Sequence, residues 1–124
     1  MYRAAHVSEL PAVPTDLVEG EWRPVRHHLG ITAFGTNAYT GRAGELVIEE
    51  HDDADEELYV VLAGEAEFTL DGERLDAPPG TLVFVTHGTT RAAHAKVDGT
   101  TVLVVGATPG KPFEVSRWER SRLG

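Results

Sequence analysis

The sequence predicts an all-β domain, a sandwich or barrel of short strands, and three observations carry that prediction. Gly64, Gly72, Gly80 and Gly88 recur every 8 residues, and Gly99 and Gly106 continue the punctuation more loosely. Turns at that spacing mark sandwiches and barrels. The dipeptides Asp71-Gly72 and Asp98-Gly99 suit tight hairpins, because glycine has no Cβ to clash at positive φ. The segments between these turns are rich in β-branched and aromatic residues, which fit a pleated, half-buried surface.

Taken in order, residues 1–30 contain Pro11, Pro14 and Pro24 and are expected to form an extended arm that partly wraps the domain. Ile31 to Tyr39 and Glu45 to Glu49 read as two strands. Leu58 to Leu62 is apolar at every position, as is Val102 to Val105, so both need cover on two faces from a second sheet, a terminal segment or another copy of the chain. Ala66, Phe68 and Leu70 alternate with Glu67, Thr69 and Asp71, the period of a strand with one wet face. Pro78-Pro79-Gly80 forbids helix and central strand and predicts a fixed corner before the strand Leu82 to Val85. The strand core spans about residues 31–106. In the tail, residues 107–124, a short helix is expected to begin near Ser116, with Arg117, Arg120 and Arg122 suiting its C-terminus.

Composition narrows the function. The chain has 124 residues, one domain's worth, and no cysteine, which excludes disulfides, thiolate metal sites and cysteine nucleophiles. A formal charge of −9 repels phosphate backbones, so no nucleic-acid partner is expected. No apolar run is long enough for a membrane span or a leader peptide, and a cytoplasmic location is the expectation. The serines Ser8, Ser116 and Ser121 lie outside any nucleophile-elbow pattern, and there is no phosphate-cradling glycine loop.

Chemistry concentrates in residues 49–57, Glu-Glu-His-Asp-Asp-Ala-Asp-Glu-Glu. A solvated acidic loop is the plain reading of such a run. A calcium loop fits poorly, because Leu58 stands where the sharp-turn glycine belongs. His51 and Asp53, two apart, project from one face of a strand, and Glu57 opens the next apolar strand. Tyr59, two beyond Glu57, shares its face, and Phe68 lies on the neighbouring strand. Both aromatics suit core packing and are also candidate pocket lining.

These residues resemble the first motif of the cupin superfamily. Gly44, His51-x-Asp53, Glu57 three residues on and Gly64 six residues beyond that follow its order, with a shortened spacer after the first glycine. The second motif maps onto Gly80, Thr86-His87-Gly88, Arg91 and Ala95. The resemblance implies a double-stranded β-helix, a six-stranded jelly-roll barrel with its site inside, and often a homodimer. Such barrels serve metal-dependent dioxygenases and isomerases as well as ligand sensors and storage proteins, so the fold alone selects no activity.

Three histidines and a glutamate usually hold the metal in that family, and the four places here carry His51, Asp53, Glu57 and Arg91. Arginine is permanently charged and has no lone pair for a metal. The leading expectation is therefore a barrel without metal or other cofactor, binding a small polar or anionic molecule with Arg91 as its anchor. A second reading is an enzyme with His51 or Glu57 as general acid or base, with or without iron, manganese or zinc on His51, Asp53 and Glu57. A third is a structural or dimerisation module in which Arg91, Asp53 and Glu57 close into a salt-bridge cluster. Of the other histidines, His87 falls in a turn, His94 has outward parity, His27 and His28 adjoin, and His6 is placed in an edge strand, so none is expected as a ligand.

Overall fold

The computed structural model describes residues 1–123 as two antiparallel sheets packed face to face. The strands are β1 (Glu21–Arg23), β2 (Gly35–Gly41), β3 (Leu46–His51), β4 (Glu56–Ala63), β5 (Ala66–Leu70), β6 (Glu73–Ala77), β7 (Leu82–Val85), β8 (Arg91–Ala95) and β9 (Thr100–Ala107). One sheet runs β1-β2-β9-β4-β7 and the other β3-β8-β5-β6. The all-β expectation holds. The count does not, because nine strands form where six were expected. No described helix is long and apolar enough to cross a membrane.

Asp71 and Gly72, at φ 50° and 83°, make the two-residue turn joining β5 to β6. Positive φ at both positions is what matches hairpin twist. At Gly64 (φ 70°) a Cβ would lie 2.6 Å from Thr100 Cα and closer still to the Thr100 hydroxyl. Gly64→Ala therefore combines left-handed strain with overpacking, and we expect it to lose about 2–3 kcal/mol in urea melts. A wild-type unfolding midpoint would contradict this placement.

The inward residues interdigitate between the sheets. Val47, Tyr59, Val61, Phe68, Val83, Val102 and Val104 form one buried cluster, each apolar side chain contributing roughly 1.5–3 kcal/mol. The first thirty residues are not simply an extended arm. They form a 3-10 turn at Val7–Glu9, strand β1 and a short helix α1 (Val25–Leu29). His6 caps the 3-10 turn by accepting from the Ser8 amide, and so is in no strand. Pro24 sits at the helix start, where its missing N–H is harmless, and Gly30 ends the helix at φ 72°. Leu10 and Val25 then cover Ala38 on the outer face of β2. The tail helix α2 (Arg117–Leu123) begins where expected, with the Ser116 hydroxyl accepting from the Glu119 amide.

Candidate functional site

Between the sheets lies a cavity of about 390 Å³. The strands that build its polar floor are β3, β4 and β8. Irregular register between β3 and β8 turns both Val47 and Ile48 inward, and brings His51 opposite Arg91. Glu49 and His51, two apart on β3, both line the cavity. Asp53 follows in the loop and Glu57 on β4.

Glu57 is the hub of the cluster. Its Oε1 accepts from the Tyr59 hydroxyl at 2.8 Å and lies 3.0 Å from Arg91 Nη2. His51 Nε2 stands 3.5 Å from the same oxygen and 3.6 Å from Asp53 Oδ2. Arg91, 0% exposed, also donates to Asp53 Oδ1 at 3.3 Å and to the Thr89 carbonyl at 2.8 Å. Its Nε has no partner.

The electrostatics follow from this geometry. His51 Nδ1 donates to the Glu49 carbonyl at 2.8 Å, which fixes the ring and leaves Nε2 facing two carboxylates. A neutral Nε2 would present a lone pair to negative charge. The Glu57 carboxylate beside it therefore raises the His51 pKa above its ordinary 6.5, against the opposing effect of burial. Burial pushes the Glu57 carboxyl up, but the His51 ring beside it, the hydrogen bond from Tyr59 and the charge of Arg91 outweigh it and hold the group below 4.5. Burial is also the main cause that raises the phenols of Tyr39 and Tyr59.

These opposite shifts bracket the pH range of greatest stability. The His51 contribution is fully present below 6.5 and is lost as pH rises through its elevated folded pKa. The Glu57 contribution is present above 4.5 and is lost as pH falls through its depressed folded pKa. Thermal melts across this range are expected to peak between the two, and His51→Gln to flatten the alkaline limb. An alkaline limb unchanged in that variant would contradict the assignment.

The structure thus brings together His51, Asp53, Glu57, Tyr59 and Arg91. Phe68 stands apart in the core, packed edge-on against the Tyr59 ring with centroids 5.6 Å apart, and does not line the cavity. Arg91 does not line it either, since Asp53 and Glu57 lie between its guanidinium and the open space. His94 and His87 are exposed.

Other lining residues had no role in the sequence reading. Glu49 could have been found, because it shares strand parity with His51. Tyr39, Phe113, Glu114 and Trp118 could not, because long-range packing brings them there. Trp118 packs on Trp22 with ring centroids 4.4 Å apart, and Glu119 accepts from Arg26 Nε at 2.6 Å. Those two contacts fold the tail over the barrel mouth.

Comparison with known proteins places this geometry. No curated protein matches the chain. Among solved structures it is similar to a cupin protein from Bacteroides fragilis, at 20% identity and a TM-score of 0.69, covering 99% of this chain and 94% of the other. A sugar phosphate isomerase from a cupin superfamily, from Silicibacter pomeroyi, matches at 17% identity and a TM-score of 0.71, covering 86% and 77%. A polyketide cyclase from Streptomyces resistomycificus matches at 19% identity and a TM-score of 0.69, covering 94% and 89%. Likenesses this remote speak for the fold alone. The family model described as a cupin domain matches residues 39–106, more than half of the sequence, and the chain belongs to the cupin family.

Proposed function

We propose that this cupin barrel binds a small polar molecule without a metal, with the molecule's polar end against His51, Asp53 and Glu57. The observation that carries the reading is the sealed Arg91 guanidinium, 3.0 Å from Glu57 and 3.3 Å from Asp53. The donor atoms of His51, Asp53 and Glu57 lie within 4.8 Å of one another, near enough to close on an ion. Arg91 already pairs with two of those three groups, however, and its fixed charge opposes a divalent ion beside it. One imidazole also makes a nitrogen-poor donor set. On this reading the charge of Arg91 and the single nitrogen donor make the set a poor fit for a resident divalent metal.

The cavity in front of the cluster favours a ligand site over a closed structural salt bridge. In this reading Arg91 supports the cavity floor rather than anchoring an anion, because it does not line the cavity and its Nη1 and Nη2 face the Thr89 carbonyl, Asp53 and Glu57. Crystals of untagged protein taken directly from its expressing cells test the reading. Extended organic density touching His51 or Glu57 is the expected result, and a spherical anomalous peak among His51, Asp53 and Glu57 would contradict it.

A second reading, acid–base catalysis on the bound molecule, is favoured by one observation. The Glu49 carbonyl fixes the His51 ring with Nε2 3.5 Å from Glu57 Oε1 on the cavity wall, an acid and a base side by side.

We also propose that the chain works as a two-fold dimer. The N-terminal segment covers only the β2 side of the outer sheet face. On the β4 and β7 side, Leu58 and Leu62 are exposed together with Leu82 (63%) and Phe84 (59%), on a sheet whose last strand is unpaired. That patch is uncharged on a chain of charge −9, so it is where two copies can meet without repulsion. Sedimentation equilibrium at micromolar protein is expected to give twice the chain mass, and a lone 13.4 kDa species would contradict the dimer.

A further inference from the structure

The cavity wall is unbalanced in charge. Glu49, Asp53, Asp55, Glu57, Glu114 and Glu119 all contribute to it, and no described lysine or arginine does. Arg91 offsets Asp53 and Glu57 from behind, and Arg26 offsets Glu119. Arg122, close enough for Glu49 to feel its charge, is held 3.2 Å from Asp16 and lies over the Trp118 ring. Glu49, Asp55 and Glu114 form no ion pair among the described residues. A concave, partly dry wall with surplus negative charge concentrates cations and repels anions.

The same space carries a second, independent feature. Tyr39 and Phe113 line it, and aromatic rings attract cations through their quadrupoles, while Trp118, also in the wall, already carries Arg122 over its ring. Leu17, Val18, Ile48 and Val104 supply apolar wall beside them. A phosphate or carboxylate group would meet no cationic side chain there except the imidazolium of His51.

We propose that the ligand class of this cavity is an organic ammonium ion with an apolar or aromatic body. Its cationic head is the polar end that faces the carboxylates of Glu49, Asp53 and Glu57 at the floor and Glu114 on the tail, and its body lies along the apolar wall. A volume of about 390 Å³ falls at the small end of the range for such ligands. The inference rests on the reading of this cavity as a small-molecule site.

Three probes that share one phenyl body and differ in charge test it: phenethylamine, phenethyl alcohol and phenylacetate. Binding is read by calorimetry and by tryptophan fluorescence. The amine is expected to bind at least tenfold more tightly than the alcohol, and phenylacetate not at all. Half-molar salt should weaken the amine severalfold. Glu49→Gln and the exposed Glu114→Gln should each weaken the amine about fivefold and weaken the alcohol far less.

Equal affinity for amine and alcohol, or tighter binding of phenylacetate, would overturn the ammonium assignment. The cavity would still stand as a polar-ligand site if His51→Gln then abolished alcohol binding. Binding of none of the three at millimolar concentration would overturn both readings.

Discussion

Arg91→Ala is expected to lower unfolding stability by about 3 kcal/mol, which for a chain of this size is a fall in Tm of about 10 °C. Removing a fully buried guanidinium leaves Asp53 and Glu57 facing each other with only His51 to balance them. Breaking a buried pair typically costs about 3–5 kcal/mol. Asp53 is partly exposed, so water screens its share and the low end of that range applies. The double variant Arg91→Ala with Glu57→Gln should recover part of the loss, because it removes the stranded charge. A single-variant loss under about 1 kcal/mol, or no recovery in the double, would contradict the cluster as described.

Trp22→Ala is the other large effect, about 3–5 kcal/mol by the usual cost of emptying a buried aromatic site. The ring is fully buried on β1, and its Nε1 donates to Asn37 Oδ1 at 2.8 Å. The substitution also removes the surface on which Trp118 rests. The tail should then undock, and trypsin should cut at Arg117 and Arg120 faster than in the wild type. Trp22→Phe keeps ring packing and loses the hydrogen bond, so its cost should be about 1 kcal/mol. Unchanged tail proteolysis in Trp22→Ala would show that the tail is held elsewhere.

The parts of the fold that were legible are those with local causes. Strand alternation in β5 and the Asp71-Gly72 turn are written in side-chain parity and glycine φ. The β6 strand was missed because Glu73, Arg74 and Asp76 are charged and exposed. It is a strand through pairing with β5, and its charges suit an unpaired edge. Helix α1 was missed because prolines suggested extended chain, whereas Pro24 precedes the first turn rather than interrupting one. The facing of His51 and Arg91 could be anticipated from the motif spacing. The cavity's charge was legible only in the share from residues 49–57, because Glu114 and Glu119 arrive on a tail positioned by Trp22 and Arg26.

In the proposed reading the Arg91 guanidinium, and no divalent metal, balances Asp53 and Glu57. Metal analysis of untagged protein, before and after incubation with iron, manganese and zinc, tests it most directly, with Arg91→His as the comparison. The wild type is expected to hold well under one equivalent of each, and Arg91→His, which replaces the fixed charge with a nitrogen donor, to take up more. Stoichiometric metal in the wild type, retained through dialysis against a chelator, would contradict the account and make His51, Asp53 and Glu57 its ligands.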